Sequence, residues 1–435
     1  MLTNNQTDST ANQKTSSERL VSSSLGALAQ RQFVKQCTDI QALDKLLHEK
    51  KITLYVGIDP TGPSLHVGHI VPLFAMAHLA RAGHRVLALV GGGTARIGDP
   101  SGKTEMRKML SVEEIQENSR LIGNQIARFF EFAGVPKDRI IIANNADWLS
   151  NLNYIEFLRD IGKHFSVNRM LTFEAYKQRL ETGLSFIEFN YQLLQSYDYY
   201  ILQRDYDVSL QIGGDDQWGN IVAGIDLIRR LGGPEVYGLT FPLITRADGK
   251  KMGKSEKGAI FLDPNLCPPY DLYQYWRNTL DQDVYRFLKL FTFLDENEID
   301  RLGALEGNEI NEAKEVLAFE YTKLIHGVEV AEQTKQAARS LFVATGNDLD
   351  RSAVPFITLT SKELANGVGL IDLFSRTDLC SSRAEARRLV IQGGAKVNDK
   401  TLVDPEYRVT LSDVVENQIL LKAGKKRYFR VLLGN

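Results

Sequence analysis

The sequence predicts an α/β protein: a parallel-sheet domain with crossover helices, then an α-helical domain, then a small α+β module. Three observations predict it. Strand, helix and strand patterns alternate at residues 52–58, 71–82 and 85–90, the sign of a parallel sheet. Between 269 and 344 the pattern turns helical, with acidic connectors DENEID and EGNEINEAKE. Residues 366–435 read as a helix followed by short strands, and carry 12 Lys/Arg against 8 Asp/Glu, a net of +4. The whole chain is −2, so the body is −6, and a basic module on an acidic body points to a polyanionic partner.

Each element has a local reason. Residues 1–24 are polar and uncharged overall; they lack both the apolar core of a signal peptide and the arginines of a transit peptide, so they read as a disordered tail. Pro72 suits a first helical turn, where a missing N–H costs little. Ile122, Ile126, Phe129, Phe130 and Ala133 share one face of a later helix. Residues 140–143 read as a buried strand and 208–212 as another. At 435 residues the chain allows about three domains. The expected division is tail 1–24, a Rossmann-like parallel-sheet domain 25–245, a lysine-loop and helical domain 246–345, a linker 346–365 and the module 366–435. Three scattered cysteines make neither a disulfide framework nor a zinc site, and fit a reducing cytoplasm. No apolar run approaches the ~18 residues of a membrane helix. The glycine runs are not a dinucleotide fingerprint, since no GxGxxG opens a helix after the first strand.

The chemistry-bearing residues come in separated groups. LHVGH lies between a strand and a helix, where Gly68 lets a nucleotide approach the backbone and the helix N-terminus favours phosphate. A lone H-x-G-H is more often two polar residues at a helix start. TRADGKKMGKS, some 180 residues on, adds Lys251 and Lys254 in a glycine-containing loop able to close over a triphosphate. In SFIEFNYQLLQSYDYYIL, Tyr191, Gln195 and Asp198 fall at i, i+4 and i+7, within about 60° of one helical face. That edge either faces water or lines a polar pocket. Tyr55 on the first strand is placed equally well for the pocket or the core.

H-x-G-H followed by K-M-x-K-S resembles the paired signatures of the class I aminoacyl-tRNA synthetases. The strings YVGIDPTGPSLHVGHI, IGDPSGKTEMR, FNYQLLQSYDYY, LQIGGDDQWGN and KKMGKS, in this order, resemble the bacterial tyrosyl-tRNA synthetase family from residue 25 to the C-terminus. The resemblance implies two-step aminoacylation of tRNA(Tyr) with L-tyrosine and ATP. It implies that Tyr55 and Asp198 bind the substrate phenol, that Asp99, Tyr191 and Gln195 hold its ammonium group, and that Gln217 orients its carboxylate. Gly57, Asp59, Gly214 and Asp216 would line the adenylate, with Asp216 on the ribose. Thr61, His66 and His69 would contact the triphosphate, and Lys103, Arg107, Lys251 and Lys254 the departing pyrophosphate. Asp99 has a second reading as a helix N-cap before Pro100.

ATP is expected as a substrate with Mg2+ on its phosphates, and no resident metal site. The partners implied are tyrosine, ATP, tRNA and a second copy of the chain, with no membrane and no DNA, in the cytoplasm. The C-terminal segment SRAEARRLVIQGGAKVN resembles an S-four-like RNA-binding domain, with Arg383, Arg387, Arg388 and Lys396 as its basic stripe; Lys425, Lys426 and Arg427 extend it. Two departures are expected to matter. Gly253 stands where many synthetases of this class have Ser, which removes a donor and loosens the loop. Asp215, beside Asp216, either shares magnesium or caps a turn. A tryptophanyl enzyme, a non-catalytic RNA-binding protein and a nucleotidylyltransferase are the competing readings, and the pairing of Tyr55 with Asp198 and the intact signatures disfavour them.

Overall fold

The computed structural model describes residues 20–101, 109–249, 252–255, 258–343, 356–377, 379–380, 382–424 and 427–434. It divides into two compact units, Met1–Gly327 and Val328–Asn435. The first is built on six strands: β1 (Gln36–Cys37), β2 (Thr53–Ile58), β3 (Arg85–Val90), β4 (Ile140–Asn144), β5 (Val208–Gly214) and β6 (Tyr237–Phe241). Their order is β1-β6-β5-β2-β3-β4, all parallel except β1 against β6. β3 is buried after Arg85, as a parallel strand covered on both faces must be. β4 is only half-buried, with Ile142 exposed; it is the sheet edge, which corrects the expectation of a buried strand. From β2 the chain proceeds to β3 and β4 on one side and later to β5 and β6 on the other. The carboxyl ends of β2 and β5 therefore part, leaving the crevice where ligands bind in open α/β sheets.

Capping residues set the crossover helices. Pro72 sits in the first turn of Val71–Arg81, whose Leu73, Phe74, Met76 and Leu79 are buried. A Ser111–Glu114 capping box opens Val112–Phe132, and the predicted face from Ile122 to Phe130 is buried. A second box, Ser185–Glu188, opens Phe186–Tyr206, the helix that carries Tyr191, Gln195 and Asp198. The helices Pro269–Arg277, Asp281–Phe291 and Ile310–His326 share an aromatic core of Trp276, Phe291 and Tyr321, which Phe74 enters from the sheet side. The helix Ser23–Gln30 begins inside the segment read as tail: Ser22 caps it, and Asp44 accepts from the Val21 and Ser22 N–H groups.

In the second unit, helices Leu370–Arg376 and Arg383–Ile391 pack through Phe374, Ala386 and Val390 onto strands Ala395–Val397 and Gln418–Ala423. Residues 356–365 were expected in the linker. Phe356–Thr360 instead pairs parallel with the final strand Arg427–Gly434, and Ser361–Ala365 is helical. That pairing links residues over 70 positions apart, so no local pattern announces it. Residues 1–19, Lys425 and Lys426 lie outside the described residues. Among the described residues no helix is long and apolar enough to cross a membrane.

The Arg179–Glu188 ion pair (3.0 Å, both side chains at most 3% exposed) locks the N-terminus of Phe186–Tyr206. Arg179 also donates to the Gly183 carbonyl, and Ser185 donates to Glu188. Burial alone would raise the Glu188 carboxyl, but the hydrogen bonds from Arg179 and Ser185 hold it below its ordinary 4.5. Its stabilisation is therefore complete above that pH and is lost as pH falls through the lowered value. Arg179→Ala is expected to lower stability by about 3–5 kcal/mol in urea unfolding, because it leaves a buried charge unpaired. Arg179→Met combined with Glu188→Leu is expected to recover most of that loss.

Candidate active site

A cavity of about 470 Å³ occupies the crevice between the carboxyl ends of β2 and β5. β2 and the turn after it supply Tyr55, Gly57, Asp59 and Thr61, while the end of β5 and the segment after it supply Gly214, Asp216 and Gln217. Tyr191, Gln195 and Asp198 line it from the helix Phe186–Tyr206, so the i, i+4, i+7 edge faces the cavity and not water. Asp99, Gly68 and His69 also lie on its wall, whereas His66 does not line it. A Cβ on Gly57 would meet nothing within 4 Å, so this glycine leaves the floor open.

One end of the cavity is a buried phenol and carboxyl site. Asp198 is 2% exposed; Asn145 Nδ2 donates to its Oδ2 (2.9 Å) and Trp148 Nε1 to its Oδ1 (2.7 Å). Burial pushes its carboxyl up to about 8, against the lowering effect of those two hydrogen bonds. The Tyr55 hydroxyl is buried with no hydrogen-bond partner among the described residues. Burial and the nearby Asp198 charge raise it well above the ordinary phenol value. An orphaned buried hydroxyl costs on the order of 1–3 kcal/mol unless a ligand satisfies it.

The middle of the cavity is a network of fixed polar groups. Asp59 accepts from Thr94 Oγ1 (2.7 Å) on one oxygen and from the Tyr191 hydroxyl (2.9 Å) on the other. Gly91 makes this possible, since a Cβ there would lie 2.0 Å from Asp59 Oδ1. Gln217 Nε2 donates to Asp99 Oδ2 (2.8 Å) and Asp216 Oδ2 (3.2 Å). Asn220 Nδ2 donates to Gln217 Oε1 (3.2 Å) and Gln195 Oε1 (3.1 Å). Asp99 also accepts from the Ser101 N–H (2.9 Å), so it holds its own turn and faces the site together. Burial raises the Asp216 carboxyl, opposed by Gln217 and assisted by Asp99. Asp215 turns away: its Oδ1 accepts from Gln36 (2.6 Å) and Thr240 (2.9 Å), which fastens β1 and β6.

At the other end the two signature segments meet. The His66 and His69 rings stack with centroids 3.7 Å apart, and His66 Nδ1 accepts from the Gly68 N–H. Residues 65–67 run antiparallel to 260–262 through Val67 N–H to the Ile260 carbonyl (3.0 Å) and Leu262 N–H to the Leu65 carbonyl (2.8 Å). The Ile260 N–H in turn reaches the Gly253 carbonyl (2.9 Å), beside the hairpin of Lys254–Ser255 with Gly258–Ala259. Gly253 has φ +78°, and a Cβ there would lie 2.8 Å from the Gly68 backbone nitrogen. Glycine is thus the residue this close approach requires. Lys103, Arg107 and Lys251 lie outside the described residues, as does the Lys254 side chain.

The sequence did not single out Asn145, Trp148, Thr94 or Asn220. Asn145 is 1% exposed and joins Gly93, Thr94 and Asp198. In the second unit, Arg383, Arg387 and Arg388 lie on one helix, with Lys396 on the following strand. Arg383 pairs with Asp372 (2.9 Å) and Arg387 with Glu406 (2.7 Å). Among the described residues no group of three or more His, Cys, Asp or Glu side chains is arranged to hold a metal.

Residues 47–343 match the family model of class I tRNA synthetases (W and Y), and residues 350–431 match the tyrosine–tRNA ligase SYY-like C-terminal domain. The tyrosine–tRNA ligase of Treponema denticola is 56% identical over 413 residues, 94% of this chain and 99% of that protein. That of Borreliella burgdorferi is 51% identical over 409 residues, again 94% and 99%. A C-terminally truncated mitochondrial tyrosyl-tRNA synthetase of Aspergillus nidulans superposes with a TM-score of 0.67, covering 73% of this chain and 94% of that one at 29% identity. With a signature-bearing cavity on a matching fold and such relatives along nearly its whole length, the chain belongs to the class I tRNA synthetases, in their tyrosyl-tRNA synthetase family.

Proposed function

We propose that this chain activates L-tyrosine with ATP and transfers it to the terminal adenosine of tRNA(Tyr). The observation that carries the reading is the closed end of the cavity, where the Tyr55 hydroxyl, with no hydrogen-bond partner among the described residues, lies within the field of buried Asp198. A phenol fits that pair: its O–H donates to Asp198 and its oxygen accepts from Tyr55. Phenylalanine would leave both partners unsatisfied; tyrosyl-tRNA synthetases are themselves the standard example of this rule.

The remaining roles are those that the family resemblance implies. Asp99, Tyr191 and Gln195 hold the ammonium group, and Gln217 orients the carboxylate toward the ATP α-phosphorus. Gly57 and Gly214 leave room for the adenylate, Asp59 lies alongside it, and Asp216 takes the ribose hydroxyls. The tyrosine carboxylate attacks the α-phosphorus and pyrophosphate leaves. A ribose hydroxyl of tRNA then attacks the activated carbonyl and expels AMP. Thr61, His66 and His69 stabilise charge on the phosphates during the first step, with Lys103, Arg107, Lys251 and Lys254 on the departing pyrophosphate. Magnesium enters on the ATP phosphates as part of the substrate. Arg383, Arg387, Arg388 and Lys396 hold tRNA phosphates. The chain acts in the cytoplasm as a homodimer, as the family resemblance implies.

Tyrosine-dependent pyrophosphate exchange tests the first step. Exchange is expected with tyrosine and not with phenylalanine or tryptophan; exchange with none of the three defeats the reading. Thr61→Ala with His66→Ala is expected to slow adenylate formation at least ~100-fold while tyrosine affinity stays within about twofold. If the phenol donates to an ionised Asp198, binding releases the proton that the empty site holds below pH about 8. Tyrosine affinity is then expected to rise with pH, by up to about tenfold per unit between pH 6 and 8, and to lose that dependence in Asp198→Asn, as calorimetric titration reads directly. Arg388→Ala is expected to weaken tRNA binding and reduce its salt slope by about one, with exchange unchanged.

A further inference from the structure

The two signature segments share an anchor outside the cavity lining. Gln125, on the helix Val112–Phe132, accepts the Leu65 N–H on Oε1 (2.9 Å) and donates from Nε2 to Ser64 Oγ (3.1 Å). Ser64 is 4% exposed; its hydroxyl donates to the Leu65 carbonyl (2.7 Å) and accepts the Asp263 N–H (3.1 Å). Leu65 immediately precedes His66. Asp263 ends the stretch that returns from the lysine hairpin and pairs with 65–67. One amide and one hydroxyl thus fasten both segments, at the same end, to a helix that crosses over behind the sheet.

The chemistry of the pair suits a geometric role. The planar amide fixes an acceptor and a donor at a set separation, and the serine hydroxyl has both its donor and acceptor capacities used. Such a clamp restricts sliding of 64–67 along 260–263, the motion that would move the His66–His69 stack and the lysine hairpin relative to each other. Misplacement of reacting groups by about 1 Å can cost on the order of 100-fold in rate, so a clamp far from the reacting atoms can matter to the chemistry.

We propose that Gln125, acting through Ser64, is a positioning residue for the phosphate end of the site, holding the H-x-G-H segment and the lysine hairpin in the mutual register that meets ATP. The proposal rests on the reading of those segments as the ATP-holding elements. Its test is single-turnover formation of tyrosyl-adenylate by the full chain carrying Gln125→Leu, Gln125→Glu or Ser64→Ala.

Gln125→Leu is expected to slow adenylate formation about 10- to 100-fold, with tyrosine affinity within about twofold of the parent. Gln125→Glu keeps the acceptor for the Leu65 N–H, and Ser64 can donate to it by turning its proton from the Leu65 carbonyl, so the rate is expected to recover to within about fivefold. Lys254→Ala is expected to cost less in the Gln125→Leu background than alone, because the hairpin is already out of register. A Gln125→Leu rate within twofold of the parent overturns the proposal. So does a parallel loss of tyrosine affinity, the mark of general loosening. If Gln125→Leu does not fold, Ser64→Ala decides on the same criteria. A parent chain that forms no tyrosyl-adenylate defeats the proposed function instead, so the two failures are distinguishable.

Discussion

Asp59 directly follows β2, and its two carboxylate oxygens are taken by hydroxyls from two other elements, Thr94 after β3 and Tyr191 on the helix Phe186–Tyr206. This interaction ties together the two strands that flank one side of the crevice and the helix that roofs it. Thr94 continues the chain of bonds to Asn145, and Asn145 to Asp198. The buried carboxyl at the closed end is therefore placed by the same network that places the acid at the centre. Glycine at position 91 is the steric condition for all of it, since any side chain there would occupy the space of the Asp59 oxygen.

The cavity divides electrostatically along its length. Asp59, Asp99, Asp198 and Asp216 line one stretch, and burial raises at least two of these carboxyls. Buried acids held by fixed amide and hydroxyl donors suit a cationic ammonium group and neutral hydroxyls. The far end offers phosphate the imidazole stack and the lysine hairpin, which backbone bonds join. Perturbed carboxyls gathered in one cleft are a mark of function more than of stability. The cost of holding them is borne by the packed elements around the cleft, including the Arg179–Glu188 lock on the roof helix.

Local patterns made much of this legible. β3 falls where alternation and the following glycines place it, and 3.6-residue geometry puts Tyr191, Gln195 and Asp198 on one edge while leaving open whether that edge meets water or a pocket. What stayed hidden depends on distance in the chain. Asn145 and Trp148 reach Asp198 across some 50 residues, and an isolated Asn or Trp after a strand carries no signal of its own. Phe356–Thr360 looks like linker until the final strand pairs with it. The steric reason for Gly253 depends on its positive φ and on the Gly68 backbone nearly 190 residues away, which residue type alone does not show. Asp215 and Asp216 are neighbours that point to opposite tasks, one to the sheet edge and one to the cavity.

On the function proposed above, the closed end of the cavity holds the substrate phenol. A crystal structure of the chain with a non-hydrolysable tyrosyl-adenylate analogue tests it most directly. The phenol oxygen is expected within about 3 Å of both the Tyr55 hydroxyl and an Asp198 carboxylate oxygen, with the sulfamoyl or phosphate group toward His69. An analogue bound with its aromatic ring elsewhere, leaving Tyr55 and Asp198 in contact with neither ligand oxygen, would contradict it.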